Sequence, residues 1–343
     1  MTEIRVLLLA DSHLGFDLPL KPRVERRRRG HDFLANYAAA LKPALDGEVD
    51  VVVHGGDVFD RSRVVPSLAY QAFEPLRRVA DRGVPVFIVP GNHERSTLPH
   101  LRFASHPGVH VFDRPRTVVV QVRDRAVAFA GFPFEREVRS RFVDVLRQTK
   151  WSEAHADVRL LCIHQCVEGA TVGPVDFTFT TGADVVRHAD IPADFSAVFS
   201  GHIHRHQVLT SDLRRRPLET PVLYPGSIER TAFAETGEPK GYMIVHVDAA
   251  TPGVRWEFRE LSARPMLRHE IVPTTMSVMQ LASTVQEIIT TVPPDAVLSI
   301  RMASPLTDAQ WSVVSSARLR EIAPRTMNVE IAAPRRETAV SVL

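Results

Sequence analysis

Three observations predict an α/β layered fold for this 343-residue chain. Strand-like apolar runs alternate with segments of helical spacing from the start, which separates the chain from helical bundles and all-β sandwiches. The first strands are continuous apolar runs, as buried strands are. The length exceeds that at which single cores stop growing, so two domains are expected.

The elements follow in order. IRVLLLA, from Ile4 to Ala10, reads as the first buried strand, and Gly30 to Leu45 has helical apolar spacing. VDVVVHGGD returns to a strand ending in glycines. Pro66 to Asp81 fits a helix with Gly83 past its end, followed by the strand VPVFIV and the turn PGNHE. Short β-rich runs at Val109 to Phe112, Arg116 to Val122 and Ala126 to Phe132 precede a helix through Glu135 to Lys150. VRLLCIH, AVFS, PVLYP, GYMIVHV and GVRWEFREL read as further strands. A boundary falls near Ser262 to Pro265. Beyond it, Leu267 to Val272, Ala296 to Met302 and Thr326 to Ile331 alternate as strands with helices at Ser277 to Thr291 and Asp308 to Ile322, a small βαβαβ module without ligand residues. Domains of 1–262 and 263–335 and a short tail of 336–343 are therefore expected.

Composition excludes several classes. Hydrophobic residues at 44% and charged ones at 24% are ordinary for a globular protein. No apolar run approaches the roughly 18 residues of a membrane span, and MTEIRVLLLADSH is too short for a signal core, so a soluble protein is expected. Two cysteines build no disulfide framework, and cytoplasm is the expected compartment. A formal charge of +2 does not by itself argue for nucleic acid.

Five stretches share one design, an apolar strand followed by a turn loaded with Asp, Asn or His: Asp11-Ser-His13, Gly56-Asp57, Gly91-Asn92-His93-Glu94, His164 and Gly201-His202-Ile-His204. In open α/β sheets, ligands bind beyond the carboxyl ends of strands. Mixed carboxylate, imidazole and amide donors suit manganese, iron or zinc, whereas an all-oxygen set would suit magnesium or calcium. Two such ions, about 3.5 to 4 Å apart, need a bridging carboxylate and set up in-line attack on phosphorus. Asp57, isolated between glycine-bounded turns, is the obvious bridge.

The set DSH, GGD, GNHE, H and GHIH, spanning Asp11 to His204, resembles the five-motif signature of the calcineurin-like metallophosphoesterase superfamily. GGDVFDRSRVVPS and YPGSIERTAFAETGEPKGY are similar to the SbcD-type DNA-repair exonucleases, bacterial relatives of the meiotic-recombination nuclease subunit. The resemblance implies a layered β-sandwich flanked by helices, with a small α+β capping domain that positions DNA. It implies two divalent ions, Mn2+ foremost with Fe or Zn as alternatives. Asp11, His13 and His204 would hold the first ion, Asn92, His164 and His202 the second, and Asp57 would bridge. His93 would approach the scissile phosphate, where an imidazole that titrates near neutrality can stabilise charge or protonate the leaving oxygen. Two departures stand out. Glu94 replaces the more usual aspartate and is expected to act through imidazole orientation. Asp60 stands where archaeal and eukaryotic relatives carry a histidine near the substrate.

The implied activity is 3′ to 5′ exonuclease action on duplex ends and endonuclease action on single strands or hairpins, in double-strand-break repair. A phosphodiesterase or phosphatase on small phosphoesters, and a DNA-end scaffold with little activity, are the alternatives. Arg61, Arg63, Arg95 and Asp60 are candidates for substrate contact. KPRVERRRRG, Lys21 to Gly30, reads equally as a phosphate-contacting stretch or a solvated loop. His54, His100, His106, His110 and His206 are expected to be structural or surface residues, Cys162 and Cys166 packed thiols, and Arg214 to Arg216 a hairpin tip. DNA is the expected partner. An SbcC-type ATPase would dock on helices for which APRRETAVSVL is too short, which leaves a different mode of binding, or action alone or as a homodimer. The apolar residues near Leu68 to Leu76 suit either dimerisation or the core.

Overall fold

The computed structural model describes residues 3–17, 27–248 and 253–332. The chain divides into two compact units, Met1–Phe16 with Asp32–Ser262, and Asp17–His31 with Ala263–Leu343.

The first unit is a sandwich of two six-stranded sheets. One contains β1 (Glu3–Leu9), β2 (Val51–His54), β3 (Val86–Ile88) and β4 (Val109–Val111) in parallel. The other contains β5 (Arg116–Val122), β6 (Arg125–Gly131) and β7 (Val158–Ile163). The chain then forms four two-residue strands, β8 (Cys166–Val167), β9 (Thr171–Val172), β10 (Phe177–Thr178) and β11 (Val185–Val186). β12 (Ala197–Ser200), β13 (Gln207–Ser211) and β14 (Pro217–Tyr224) complete the second sheet, ordered β13-β14-β12-β7-β6-β5. β15 (Gly241–Asp248) and β16 (Val254–Glu260) return to the first, ordered β16-β15-β1-β2-β3-β4.

The core lies between the sheets. Val6, Val53 and Phe87 from one meet Phe129, Leu160, Phe199 and Leu223 from the other, and the Phe87 and Phe129 rings stack with centroids 4.0 Å apart. Helices α1 (Arg29–Leu45), α2 (Pro66–Asp81) and α3 (Val138–Gln148) are amphipathic. α2 starts with Pro66, whose missing N–H is no loss at that position. It buries Leu68, Ala69, Ala72, Phe73 and Leu76 within the chain, so these residues serve the core. α3 is shorter than the sequence suggests because Glu137 takes a left-handed conformation at its start (φ 52°).

The second unit has three parallel strands in the order β17 (Met266–Ile271), β18 (Val297–Met302), β19 (Asn328–Ala332). Helix α4 (Val278–Thr291) begins in a capping box between Ser277 and Gln280. The single helix expected over Asp308 to Ile322 is two, α5 (Asp308–Val313) and α6 (Ser316–Ile322), because Ser315 caps α6 by accepting from the Arg318 amide. Asp17 to His31 group with this unit, whereas a continuous 1–262 domain is expected from sequence. The Arg27 amide donates to the Arg325 carbonyl at 3.0 Å, and Arg28 pairs with Asp17. Residues 21–26 of the basic run and the tail 336–343 lie outside the described residues.

Candidate metal centre

All five polar turns follow the carboxyl ends of parallel strands. Asp11 and His13 follow β1, Asp57 follows β2, Asn92 to Glu94 follow β3, His164 follows β7, and His202 and His204 follow β12. The sandwich thus brings to one place residues up to 193 positions apart in sequence. The turns are tight. Asp11, His13, Asp57 and His202 have φ of 50°, 41°, 52° and 80°, a region that side chains other than glycine rarely enter. Main-chain bonds hold them there: the Asp11 amide donates to the Gly56 carbonyl (2.8 Å) and the His13 amide to the Asp57 carbonyl (3.0 Å).

Asp11, His13 and His204 each place one donor atom within 4.8 Å of the others; so do Asp11, Asp57 and His164, and so do His13, Asp57 and His93. His13 Nε2 faces His204 Nε2 at 3.0 Å. Asn92 Oδ1 lies 3.0 Å from His164 Nε2 and 2.9 Å from His202 Nδ1. Asp57 Oδ2 stands between His164 Nε2 (3.3 Å) and His13 Nε2 (4.0 Å), while Asp57 Oδ1 accepts the His93 amide (2.9 Å). Asp11 Oδ1 accepts the His202 amide at 3.0 Å.

The charges are unusual. Burial raises the Asp11 carboxyl, and burial and the neighbouring imidazoles push His13 well down. Burial would also depress His164, but the Asp57 carboxylate and the Gly55 carbonyl at 2.7 Å outweigh it and push His164 up to about 9. Burial would raise Asp57, yet the His164 charge holds it below the usual carboxylate range. Burial, with His164 adding to it, takes His202 down to about 3.

A pair of divalent ions fits these residues. Asp11 Oδ2 is buried without a hydrogen-bond partner among the described residues, an arrangement that is costly unless a ligand satisfies it. The mixture of carboxylate, imidazole and amide donors is that of borderline metals.

The outer residues are arranged around this cluster. His93 is exposed, and its Nδ1 donates to the Asp60 main-chain oxygen at 2.8 Å, so Nε2 is the ring nitrogen outside that bond. Arg61, Arg63 and Arg95 are exposed, with Arg61 Nε 3.3 Å from Asp60 Oδ2. Glu94 does not act on an imidazole as expected. Its two oxygens accept the main-chain amides of Phe59 (2.8 Å) and Gly91 (2.7 Å), which ties the third turn to the second. The longer side chain spans two loops where an orienting acid was anticipated. Burial, with the Asp57 charge, pushes its carboxyl up to about 8.

The five histidines expected to be structural or surface residues have partners within the chain. His54 accepts the Gly56 amide at Nδ1 (3.2 Å), so Nε2 carries the proton to Ser12 Oγ (2.8 Å). His206 stacks on Phe258 and donates to the Tyr224 carbonyl. His100 bonds the Val64 carbonyl, His106 pairs with Asp81, and His110 stacks on Phe87. Cys162 and Cys166 are buried free thiols. Arg214 to Arg216 sit at the turn between antiparallel β13 and β14. Sequence reasoning missed Glu235, Glu238 and Lys240, which gather behind His204. They lie in YPGSIERTAFAETGEPKGY, a stretch that carries the resemblance, but nothing in it tells that they turn toward His204.

A model of the calcineurin-like phosphoesterase family matches residues 4–206. The chain belongs to this family. The phosphoesterase is 30% identical over 275 residues to the DNA double-strand break repair protein Mre11 of Haloferax volcanii, covering 78% of this chain and 54% of that one. It is 27% identical over 300 residues to the SbcD subunit of the nuclease SbcCD of Bacillus subtilis, covering 77% and 72%. The match therefore spans about half the length of the first relative. Among solved structures, TT1561 of Thermus thermophilus is similar at a TM-score of 0.47 and 12% identity, covering 75% of this phosphoesterase and 99% of that chain. The metallophosphoesterase fold uses a dimetal centre, and the ligand clusters occur in the matched part of the chain. No described helix is long and apolar enough to cross a membrane.

Proposed function

We propose that this phosphoesterase is a DNA phosphodiesterase dependent on two divalent ions, most simply Mn2+. The observation that carries the reading is the convergence of the five strand-end turns, with Asp57 Oδ2 set between His13 and His164. The DNA double-strand break repair relative and the nuclease relative support DNA as the substrate. Asp11, His13 and His204 would hold one ion, Asn92, His164 and His202 the other, and Asp57 would bridge them. Such a pair supplies activation of water and charge to offset that developing on the phosphate. Asp11 and Asp57 fix the geometry through the amides of His202 and His93. His93, held by Asp60 at Nδ1, would direct Nε2 at the substrate and, when Nε2 also carries a proton, would give that proton to the leaving oxygen. Arg61, Arg63 and Arg95 would follow the phosphate backbone. Residues 263–335 would position DNA as a capping domain. Action in the cytoplasm on duplex ends and hairpins, and assembly with an SbcC-type ATPase, belong to the same reading.

The test compares a labelled duplex, a single-stranded circle and bis-p-nitrophenyl phosphate, with Mn2+ and with chelator. Cleavage of DNA in Mn2+ only is expected. Turnover of the small ester alone would overturn the nuclease reading in favour of a small-molecule phosphodiesterase, and DNA cleavage in chelator would overturn the metal dependence.

A further inference from the structure

Behind His204, on the side away from His13, lies a closed set of charges. His204 Nδ1 is 3.1 Å from Glu235 Oε1, which also accepts from Thr231 Oγ1 at 2.7 Å. A carboxylate only accepts, so Nδ1 carries the proton and Nε2 keeps its lone pair for the cluster. Glu235 Oε2 takes the Thr231 amide (3.2 Å) and Lys240 Nζ (2.9 Å). Lys240 has a fully buried side chain, and its ammonium has three acceptors: Glu235 Oε2, Glu238 Oε2 at 3.0 Å and the His204 main-chain oxygen at 2.9 Å. The three protons of the ammonium match three oxygens. Glu238 Oε1 in turn accepts from Arg205 Nε at 3.0 Å. A buried ammonium is costly unless fully paired. This one is paired so that it fixes both the backbone of His204 and the carboxylate that orients its ring.

We infer that Glu235 is a positioning residue that sets the tautomer and direction of His204 as a metal ligand, with Lys240 as its anchor. The inference rests on the reading of His204 as a ligand of the first ion. It assigns a task to the stretch Thr231 to Lys240, none of which touches the reacting atoms. Acceptors behind a ligating imidazole typically alter metal affinity 10- to 100-fold. The effect should fall on the ion held by Asp11, His13 and His204, and not on the ion held by Asn92, His164 and His202.

The experiment is Mn2+ titration calorimetry on the whole chain, with the melting temperature of the metal-free protein measured in parallel, for wild type, His204→Ala, Glu235→Gln and Glu235→Leu. Gln keeps an oxygen for the Nδ1 proton, whereas Leu keeps none. The inference expects one of two binding steps to weaken about tenfold or more in Glu235→Leu, less in Glu235→Gln, and the other step to hold. The weakened step should be the one that His204→Ala abolishes, without a matching fall in the metal-free melting temperature. Both steps unchanged in Glu235→Leu while His204→Ala loses one would overturn this inference alone. Equal weakening of both steps with a lower melting temperature would assign Glu235 a structural role and overturn it too. A wild type without Mn2+ binding, or His204→Ala with both steps intact, would overturn the reading of the metal centre and this inference with it.

Discussion

Asp11, His13, Asp57 and His202 hold left-handed backbone angles that cost non-glycine residues about 1 to 3 kcal/mol each, and they coincide with four of the seven proposed ligands. His93 is the opposite case, exposed and held by one bond to Asp60. Its replacement by Ala should slow DNA cleavage by about 10²- to 10⁴-fold, with both Mn2+ binding steps preserved in calorimetry. His54 serves the site from the core. Burial, with the His164 charge, takes it down to about 3 from an ordinary 6.5, so it folds neutral. A depressed histidine contributes stability that is present above pH 6.5 and lost as pH falls toward 3. Wild type should therefore lose melting temperature faster than His54→Asn over that interval, and parallel curves would refute a neutral His54. The five turns that converge here were legible because each follows an apolar run. The contacts of Glu235 and Lys240 were not, because a stretch that carries a resemblance does not tell that its side chains reach His204, 31 and 36 residues away.

At the level of elements, the sandwich works by stopping its strands in loops too tight for ordinary side chains. A Cβ on Gly91 would stand 2.1 Å from Asp57 Oδ1 and 2.5 Å from its amide nitrogen, so space is what the glycine supplies there. Gly83, at the end of α2, has φ +81° and nothing within 4 Å, so it supplies only conformational freedom. Gly83→Ala should cost about 1 to 2 kcal/mol in urea unfolding and leave activity intact. Gly91→Ala should abolish Mn2+ binding, and if it kept both binding steps, the packing of the second and third turns would be wrongly described. The long strands and helices were legible from periodicity and apolar runs. Strands β8 to β11 were not, since two residues carry no period, and the α5–α6 break depends on the Ser315 cap within a run that otherwise reads as helix.

For the whole molecule, every proposed ligand belongs to the first unit, while Leu298, Ile300 and Leu281 form a separate core in the second. Hydrolysis of a small ester should therefore be indifferent to the second unit, and DNA processing should not. Leu298→Ala, at a fully buried position, should destabilise by about 2 to 5 kcal/mol. It should slow duplex degradation in Mn2+ while bis-p-nitrophenyl phosphate turns over as in wild type, and equal losses on both substrates would count against a DNA-positioning role. The alternation of strand and helix made the main elements of both units legible in the sequence. The grouping of Asp17 and residues 27–31 with the second unit was not, because no apolar pattern in them points to either core.

The central claim is that seven side chains from five strand ends hold two divalent ions bridged by Asp57. Anomalous diffraction from crystals of the protein soaked in Mn2+ tests it most directly. The account predicts two peaks about 3.5 to 4 Å apart, one against Asp11, His13 and His204, the other against Asn92, His164 and His202, with Asp57 touching both. A single peak, or peaks away from these residues, would contradict it.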